Sequence, residues 1–295
     1  MKAIALINAA AGSEGSDQST RQQEQVHSAL AAVGVDATVQ SVDAKHLAIA
    51  TRDALARRPD LIIAGGGDGT VSTIASVLAN TDIPLGVLPL GTLNHFAKDL
   101  NLPLDLEAAT KAIATGRTRP IDIGQVNHHY FINNSSIGIY PKMVRNRKQR
   151  QHQGQGKWPA MAAAAVQVFS RMPLYHVRLN RNGHEEDHTT PFIFVGNNRY
   201  EISPPDFGGR TSLDLGQLSL YIAKSTSRLA TLGLLFHAAL GRLEQSPQFD
   251  SYSLPELWIH TSRPEMDVAL DGEVTRFPTP LHYQIRPGAL RVITP

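Results

Sequence analysis

The chain has 295 residues, 42% of them apolar and 18% charged, which is enough to close a sizeable core in two domains or one large one and excludes a disordered chain. It has no cysteine, so a disulfide framework and a thiolate metal site are both ruled out, and a reducing compartment fits. Net charge is only +2, but between Ile123 and His184 there is no acidic residue against nine basic ones: Lys142, Arg145, Arg147, Lys148, Arg150, Lys157, Arg171, Arg178 and Arg181. A local positive field follows, of the kind that attracts anionic lipid or nucleic acid.

The opening apolar run stops at Asn8, too soon for a signal core or a membrane span, and predicts a buried strand over Lys2–Ile7. A helix is predicted over Ser16–Val33, with Val26, Leu30 and Val33 on one face and Gly34 as its stop. Then come a strand (Ala37–Val42), a helix (Ala44–Ala56), a strand (Asp60–Ala64), a helix from Thr70 to Leu78, a strand (Pro84–Leu88) and a helix (Leu106–Ala114) ending at Gly116. This alternation predicts an α/β layer with a largely parallel sheet. Beyond Asp122 strands dominate: Tyr130–Asn133, Leu174–Asn180, Thr189–Gly196, Gln217–Ala223, Leu257–Thr261, Met266–Leu270, Leu281–Ile285 and Ala289–Ile293. Helical patterns interrupt near Lys157–Arg171 and Ser225–Leu243. Asn182-Gly183 is a hairpin signal. So many strands with hairpin turns predict a second, antiparallel domain, a sandwich or a barrel. The apolar stretch Leu229–Leu240 falls short of the roughly 20 residues that cross a bilayer, so any membrane association is expected to be peripheral.

Two loops carry the chemistry. Gly65-Gly66-Gly67-Asp68-Gly69-Thr70 follows a buried strand and opens a helix. Its glycines admit a ligand close to the backbone, and the helix start offers unpaired N–H donors and a positive dipole, both suited to phosphate. No Gly-Lys-Ser/Thr follows, so it is not a Walker loop, and Thr70 stands where a dinucleotide fingerprint needs its last glycine. A carboxylate among phosphate-facing amides is unfavourable unless it binds Mg²⁺ or handles a proton, which singles out Asp68. The alternative is a tight turn with Asp68 as a cap. One βα unit later, Pro89-Leu90-Gly91-Thr92-Leu93-Asn94-His95 again follows a strand, and Gly91, Thr92 and Asn94 become candidates for phosphate or its magnesium. By itself it reads equally well as a capped helix start. Asp271-Gly272 likewise reads alone as a hairpin turn. The run Lys142–Arg150 reads as a solvated loop or as a contact for anionic lipid headgroups.

With these motifs the chain resembles the diacylglycerol kinase catalytic family, which includes sphingosine and ceramide kinases, and lies closest to its small bacterial lipid kinases. Asn8 with Ala11-Gly12 matches the family's first-strand nucleotide loop. Gly66–Thr70 matches Gly-Gly-Asp-Gly-Thr, and Pro89–Asn94 matches Pro-x-Gly-Thr-x-Asn. Ile121–Gly124, Asn133–Gly138 and Leu270-Asp271-Gly272-Glu273 match later segments. The resemblance implies a nucleotide-binding α/β domain over residues 1–122, a β-sandwich lipid-binding domain over 123–285 and a C-terminal strand at 286–295 that returns to the first domain. It also implies ATP held by the first two loops, a lipid held by the second domain, and catalytic acidic residues at Glu273 and Asp271. There are two departures. His95 replaces the usual Asp, and Leu215 in Ser212–Leu218 replaces an Asp that in many bacterial members binds a structural Mg²⁺. A leucine offers a hard cation no oxygen, so that site is expected to be absent.

The expectation is therefore an ATP- and Mg²⁺-dependent kinase acting on a lipid hydroxyl, cytoplasmic and peripheral to the membrane, with no nucleic-acid partner. Asn8, Gly65, Gly66, Gly67, Asp68, Gly69, Thr70, Gly91, Thr92 and Asn94 would bind the nucleotide, Asp68 the metal, and Glu273, Asp271 and Asp68 would serve catalysis. An NAD kinase-like enzyme, or a catalytically silent lipid- or nucleotide-binding regulator, is the alternative.

Overall fold

Strands β1 (Lys2–Asn8), β3 (Leu61–Gly66) and β4 (Leu85–Pro89) are apolar along nearly their whole length. Such runs belong to parallel strands buried on both faces. The computed structural model describes residues 2–9, 16–138, 174–181, 183–200, 209–223 and 249–295. The chain divides into two units. The first comprises Met1–Ile123, Thr211–Leu215 and Arg286–Pro295, and the second Gly124–Arg210 and Gly216–Ile285.

In the first unit β1 pairs in parallel with β2 (Asp36–Val42) on one side and β3 on the other. β3 pairs in parallel with β4, and β4 is followed by the C-terminal half of a long last strand, β16 (Leu281–Thr294), with Val292 opposite Leu85. Helices α1 (Ser16–Ala32), α2 (Leu47–Ala56), α3 (Asp68–Leu78), α4 (His95–Asp99) and α5 (Leu106–Thr115) connect the strands. Val26 and Leu30 of α1 and Ile113 of α5 bury against Ala5, Ile7, Ile63 and Leu88. α1 stops where expected: Gly34 takes φ 78°, and Val35 N–H and Gly34 N–H donate to the carbonyls of Leu30 and Ala31, a Schellman closure.

The predicted starts of two helices shift. Residues Ala44–His46 form a 3-10 turn before α2, and α3 begins at Asp68, ahead of the predicted Thr70, with Gly67 as its N-cap. The short α4 carried no periodic signal.

The second unit has two sheets, the β-sandwich that the resemblance implies and the strand pattern left open beside a barrel. One runs β12 (Phe249–Leu254), β11 (Leu218–Ala223), β10 (Phe192–Asn197), β7 (Asn134–Gly138), β14 (Glu265–Leu270), β15 (Glu273–Pro278), antiparallel throughout. The other joins the first half of β16 to β13 (Glu256–Thr261), β8 (Tyr175–Arg181) and β9 (His184–Thr190), and includes the pair β5 (Arg117–Val126) and β6 (His129–Phe131). Alternate residues such as Ile137, Val195, Leu220, Leu257 and Val268 point into one core, where Phe131 meets Tyr283 edge to face.

The strand predicted over Thr189–Gly196 is two strands that break at Pro191, whose missing N–H cannot continue a ladder. The two predicted C-terminal strands are the single β16, with Gly288 at φ 62° between them. β5, β7, β12, β15 and all of β9 before Thr189 were not predicted as strands. The helical patterns at Lys157–Arg171 and Ser225–Leu243 and the basic run Lys142–Arg150 lie outside the described residues. Among the described residues no helix is long and apolar enough to cross a membrane.

Candidate active site

The first unit brings its two glycine loops together at the C-terminal ends of β3 and β4, the edge where open α/β sheets bind ligands. A Cβ at Gly91 would stand 2.3 Å from the Cα of Gly67, and one at Gly66 would stand 2.5 Å from Thr70 Oγ1. Both positions therefore require glycine for packing. At the start of α3 the N–H groups of Thr70 and Val71 donate to Gly67 O. The amides of Asp68 and Gly69 have no acceptor among the described residues. Two unpaired donors on the first turn of an 11-residue helix make an anion site.

Asp68 is half-buried, and its Oδ1 accepts the Phe96 N–H at 3.1 Å. The carboxylate thus bridges the start of α3 to the start of α4. Sequence reading missed this partner, since a backbone amide 28 residues away leaves no residue-type signal.

Asn94 sits in the left-handed region, φ 50°. Its Oδ1 accepts the Gly91 N–H at 3.1 Å, and its Nδ2 donates to Gly91 O at 2.8 Å and Pro89 O at 3.2 Å. Both amide hydrogens are thereby used, so Asn94 shapes its own turn. Thr92, Leu93 and His95 are exposed around it. Asn8 ends β1, and Ala9 N–H donates to Val42 O. Ala11 and Gly12 lie outside the described residues. The fit to a phosphate with its Mg²⁺ rests on these features: free first-turn amides, glycines at the close approaches, and one carboxylate oxygen of Asp68 that makes no hydrogen bond among the described residues.

In the second unit Asp271 and Gly272 form the two-residue turn between β14 and β15, with φ 46° and 86°. Positive φ at both is the type I′ geometry of a tight hairpin. The turn separates the two acids. Asp271 Oδ1 accepts from Asn133 N at 2.8 Å and Asn134 N at 3.0 Å, Oδ2 accepts from Ile132 N at 2.9 Å, and Asp271 N donates to Asn134 O. Glu273 opens β15 opposite Leu270 and is exposed, and its carboxylate makes no hydrogen bond or ion pair among the described residues.

The segment that Asp271 holds is secured from a second direction. Buried Arg210 donates to Ile132 O at 2.7 Å, Asn197 O at 3.1 Å and Asn133 Oδ1 at 2.8 Å, and lies 5.4 Å from the Tyr200 ring centre. Nothing in the sequence marks this arginine. Ser135 Oγ meets Tyr283 Oη at 2.9 Å, and burial pushes that phenol's pKa well up.

The loop Thr211–Leu215 belongs to the first unit. Leu213 O accepts the N–H of buried Asp122, whose Oδ1 accepts Gly288 N–H at 3.0 Å. Asp214 binds the Ser212 hydroxyl and the Arg119 guanidinium, the latter at 2.6 Å. These two contacts, the hydroxyl first, hold its carboxyl below the usual range. Leu215 is 45% exposed.

Known proteins carry the same organisation. Residues 2–126 match the diacylglycerol kinase catalytic domain, and residues 140–294 match the YegS C-terminal NAD kinase beta sandwich-like domain. A probable lipid kinase YegS-like protein of Pseudomonas fluorescens is 32% identical over 88% of this chain and 84% of its own. A diacylglycerol kinase of Mycobacterium tuberculosis is 30% identical over 86% of this chain and 82% of its own. The crystal structure of a putative diacylglycerol kinase from Bacillus anthracis superimposes with a TM-score of 0.74 at 21% identity, covering 100% of this chain and 97% of that one, a likeness of fold. Two matched domains that together span most of the chain, with relatives aligned over most of their own length, assign it: the chain belongs to the diacylglycerol kinase catalytic family, among the small bacterial lipid kinases.

Proposed function

We propose that the chain transfers the γ-phosphoryl group of ATP to a hydroxyl of a membrane lipid, diacylglycerol-like or sphingoid-like. The observation that carries the reading is the start of α3: unpaired amides of Asp68 and Gly69, close-packed glycines at 66, 67 and 91, and a carboxylate aligned by Phe96 N–H. Phosphoryl transfer asks a protein mainly for positioning and charge stabilisation, and this turn is equipped for both. Asp68 would hold the Mg²⁺ that accompanies ATP, which neutralises charge on the phosphates.

Glu273 is proposed as the base, because it is the exposed carboxylate of the Asp271/Glu273 pair, whereas Asp271 is engaged by three backbone amides. As the P–O bond to the ADP leaving group breaks and the bond to the lipid oxygen forms, the hydroxyl proton passes to Glu273. Such a base is worth about 10²–10⁴ in rate. Asp271 then acts by fixing the turn that presents Glu273, and Asn94 by fixing the turn that presents Thr92. The lipid is proposed to be taken from the membrane surface by a protein bound there peripherally.

The test is incubation with γ-labelled ATP, Mg²⁺ and fractionated membrane lipids, followed by mass spectrometry of the products. A labelled lipid phosphate whose formation requires Asp68 and Glu273 supports the reading. Label found only in a soluble acceptor such as a dinucleotide overturns it.

A further inference from the structure

The second unit has a small polar cavity of about 190 Å³, lined by Arg199, Ser219, Tyr221, Ser251, Tyr252 and Ser253. It lies outside the residues used above. Strand registry explains the grouping. Ser219 stands opposite Ser253 on one side and Gly196 on the other, and the next residue on the same face, Tyr221, stands opposite Ser251. That face is turned away from the core formed by Leu218, Leu220 and Ile222.

Two features are unusual for a structural patch. Ser219 is 2% exposed, yet its hydroxyl has no hydrogen-bond partner. A buried unpaired polar atom is destabilising, a penalty that a ligand would remove. Arg199 is exposed and its side chain makes no hydrogen bond or ion pair among the described residues, and no Asp or Glu is among the described residues that line the cavity.

We infer that this cavity is an anion site for a tetrahedral oxyanion, a phosphate group held by the Arg199 guanidinium and the hydroxyls of Ser219, Ser251 and Ser253. The guanidinium fork pairs two oxygens of such a group, and the hydroxyls can serve the others, more donors than a carboxylate's two oxygens would use. The volume lies below the roughly 300–1,000 Å³ of sites for drug-sized ligands, so it suits inorganic phosphate or a phosphate headgroup and not a whole lipid. The inference stands apart from the kinase reading, because it uses none of that site's residues.

The test compares the full-length protein with Arg199→Gln and Ser219→Ala. Thermal unfolding is followed against inorganic phosphate, glycerol 3-phosphate, and acetate at matched ionic strength, alongside flotation with phosphatidylglycerol or phosphatidylcholine vesicles. Saturable stabilisation by phosphate, weakened about tenfold in apparent affinity by Arg199→Gln and reduced by Ser219→Ala, is expected. Ser219→Ala alone should match or exceed the wild-type melting temperature without phosphate, since it deletes an unpaired hydroxyl. Phosphate arising at the nucleotide turn is separated because both variants should keep the wild-type response to ATP. An Arg199-dependent gain in binding to phosphatidylglycerol vesicles assigns the phosphate to a lipid headgroup. An Arg199-dependent response to the soluble phosphates alone assigns it to a free phosphate. A phosphate response identical in all three proteins, or an equal response to acetate, overturns the site.

Discussion

Single side chains here divide into those that shape turns and those left open to a reactant. Asp68, Asp271 and Asn94 all stand in family motifs, yet Asn94 and Asp271 spend their polar atoms on the backbone. Their residue types were legible in the sequence. Their roles were not, because a motif does not reveal whether a carboxylate faces backbone amides or a ligand.

The distinction predicts opposite phenotypes. Asp271→Ala leaves three amides unserved, and with charged hydrogen bonds contributing about 1.5–3 kcal/mol each it should lower stability by at least about 3 kcal/mol, seen as a melting temperature several degrees lower. Glu273→Gln should leave the melting temperature unchanged while cutting kcat about 10²-fold or more and leaving the KM for ATP near normal. Loss of activity in Asp271→Ala without loss of stability, or normal kcat in Glu273→Gln, would reverse the assignment. Asp68→Asn keeps an oxygen for Phe96 N–H and removes the charge. It should unfold like the wild type yet lose most turnover, and a well-folded variant with wild-type turnover would remove Asp68 from the reaction.

Among the elements, the βα repeat was the most readable. β1, β3 and β4 are continuous apolar runs, and α1 carries its own stop in Gly34. Two of the unread strands share a cause. β9 (His-Glu-Glu-Asp-His-Thr-Thr) and β12 are polar strands at sheet edges, where one face and one ladder edge meet water, so they lack the apolar signal on which strand prediction depends. Contact between neighbouring loops was equally invisible, although it fixes the nucleotide turn. Gly91→Ala would press a methyl to 2.3 Å from Gly67 Cα, and the two loops must part. The expected result is a raised KM for ATP, about tenfold or more since about 1.4 kcal/mol suffices. An unaltered KM would mean that the loops act separately.

The loop carrying Asp214 should respond to acid. Its pKa is lowered, first by Ser212 and then by Arg119, so its contribution to stability is present above the ordinary Asp value and is lost as pH falls through the lowered one. Asp214→Asn should flatten the acid limb of the melting-temperature profile below about pH 4, by a small amount because the pair is about half exposed. An unchanged acid limb would show the pair to be without consequence.

For the molecule as a whole, the class of fold could be read from the switch between the alternating first part and the strand-rich remainder. The inclusion of Thr211–Leu215 in the first unit could not, since five residues around an exposed Leu215 have no pattern of their own. The closing segment matters more for stability. Leu290 and Val292 are fully buried and Ile293 nearly so. Such side chains contribute about 1.5–3 kcal/mol each, a sum comparable with the roughly 5–15 kcal/mol that keeps a domain folded. Deleting residues 286–295 should therefore leave the first unit without a cooperative unfolding transition by circular dichroism, and a truncated protein that melts like the full chain would contradict this.

The Arg119–Asp214 pair bears on how such sequences can be recombined. Its two members are 95 positions apart, on either side of most of the second unit's sequence, so exchange of residues 124–285 with a relative is not the transfer of a self-contained cassette. The donor segment brings its own version of the 211–215 loop, which must meet an Arg119 it has never been matched to. Because the pair is about half exposed, a mismatch there costs little, and keeping the contact in such an exchange means carrying residues 119 and 214 over together.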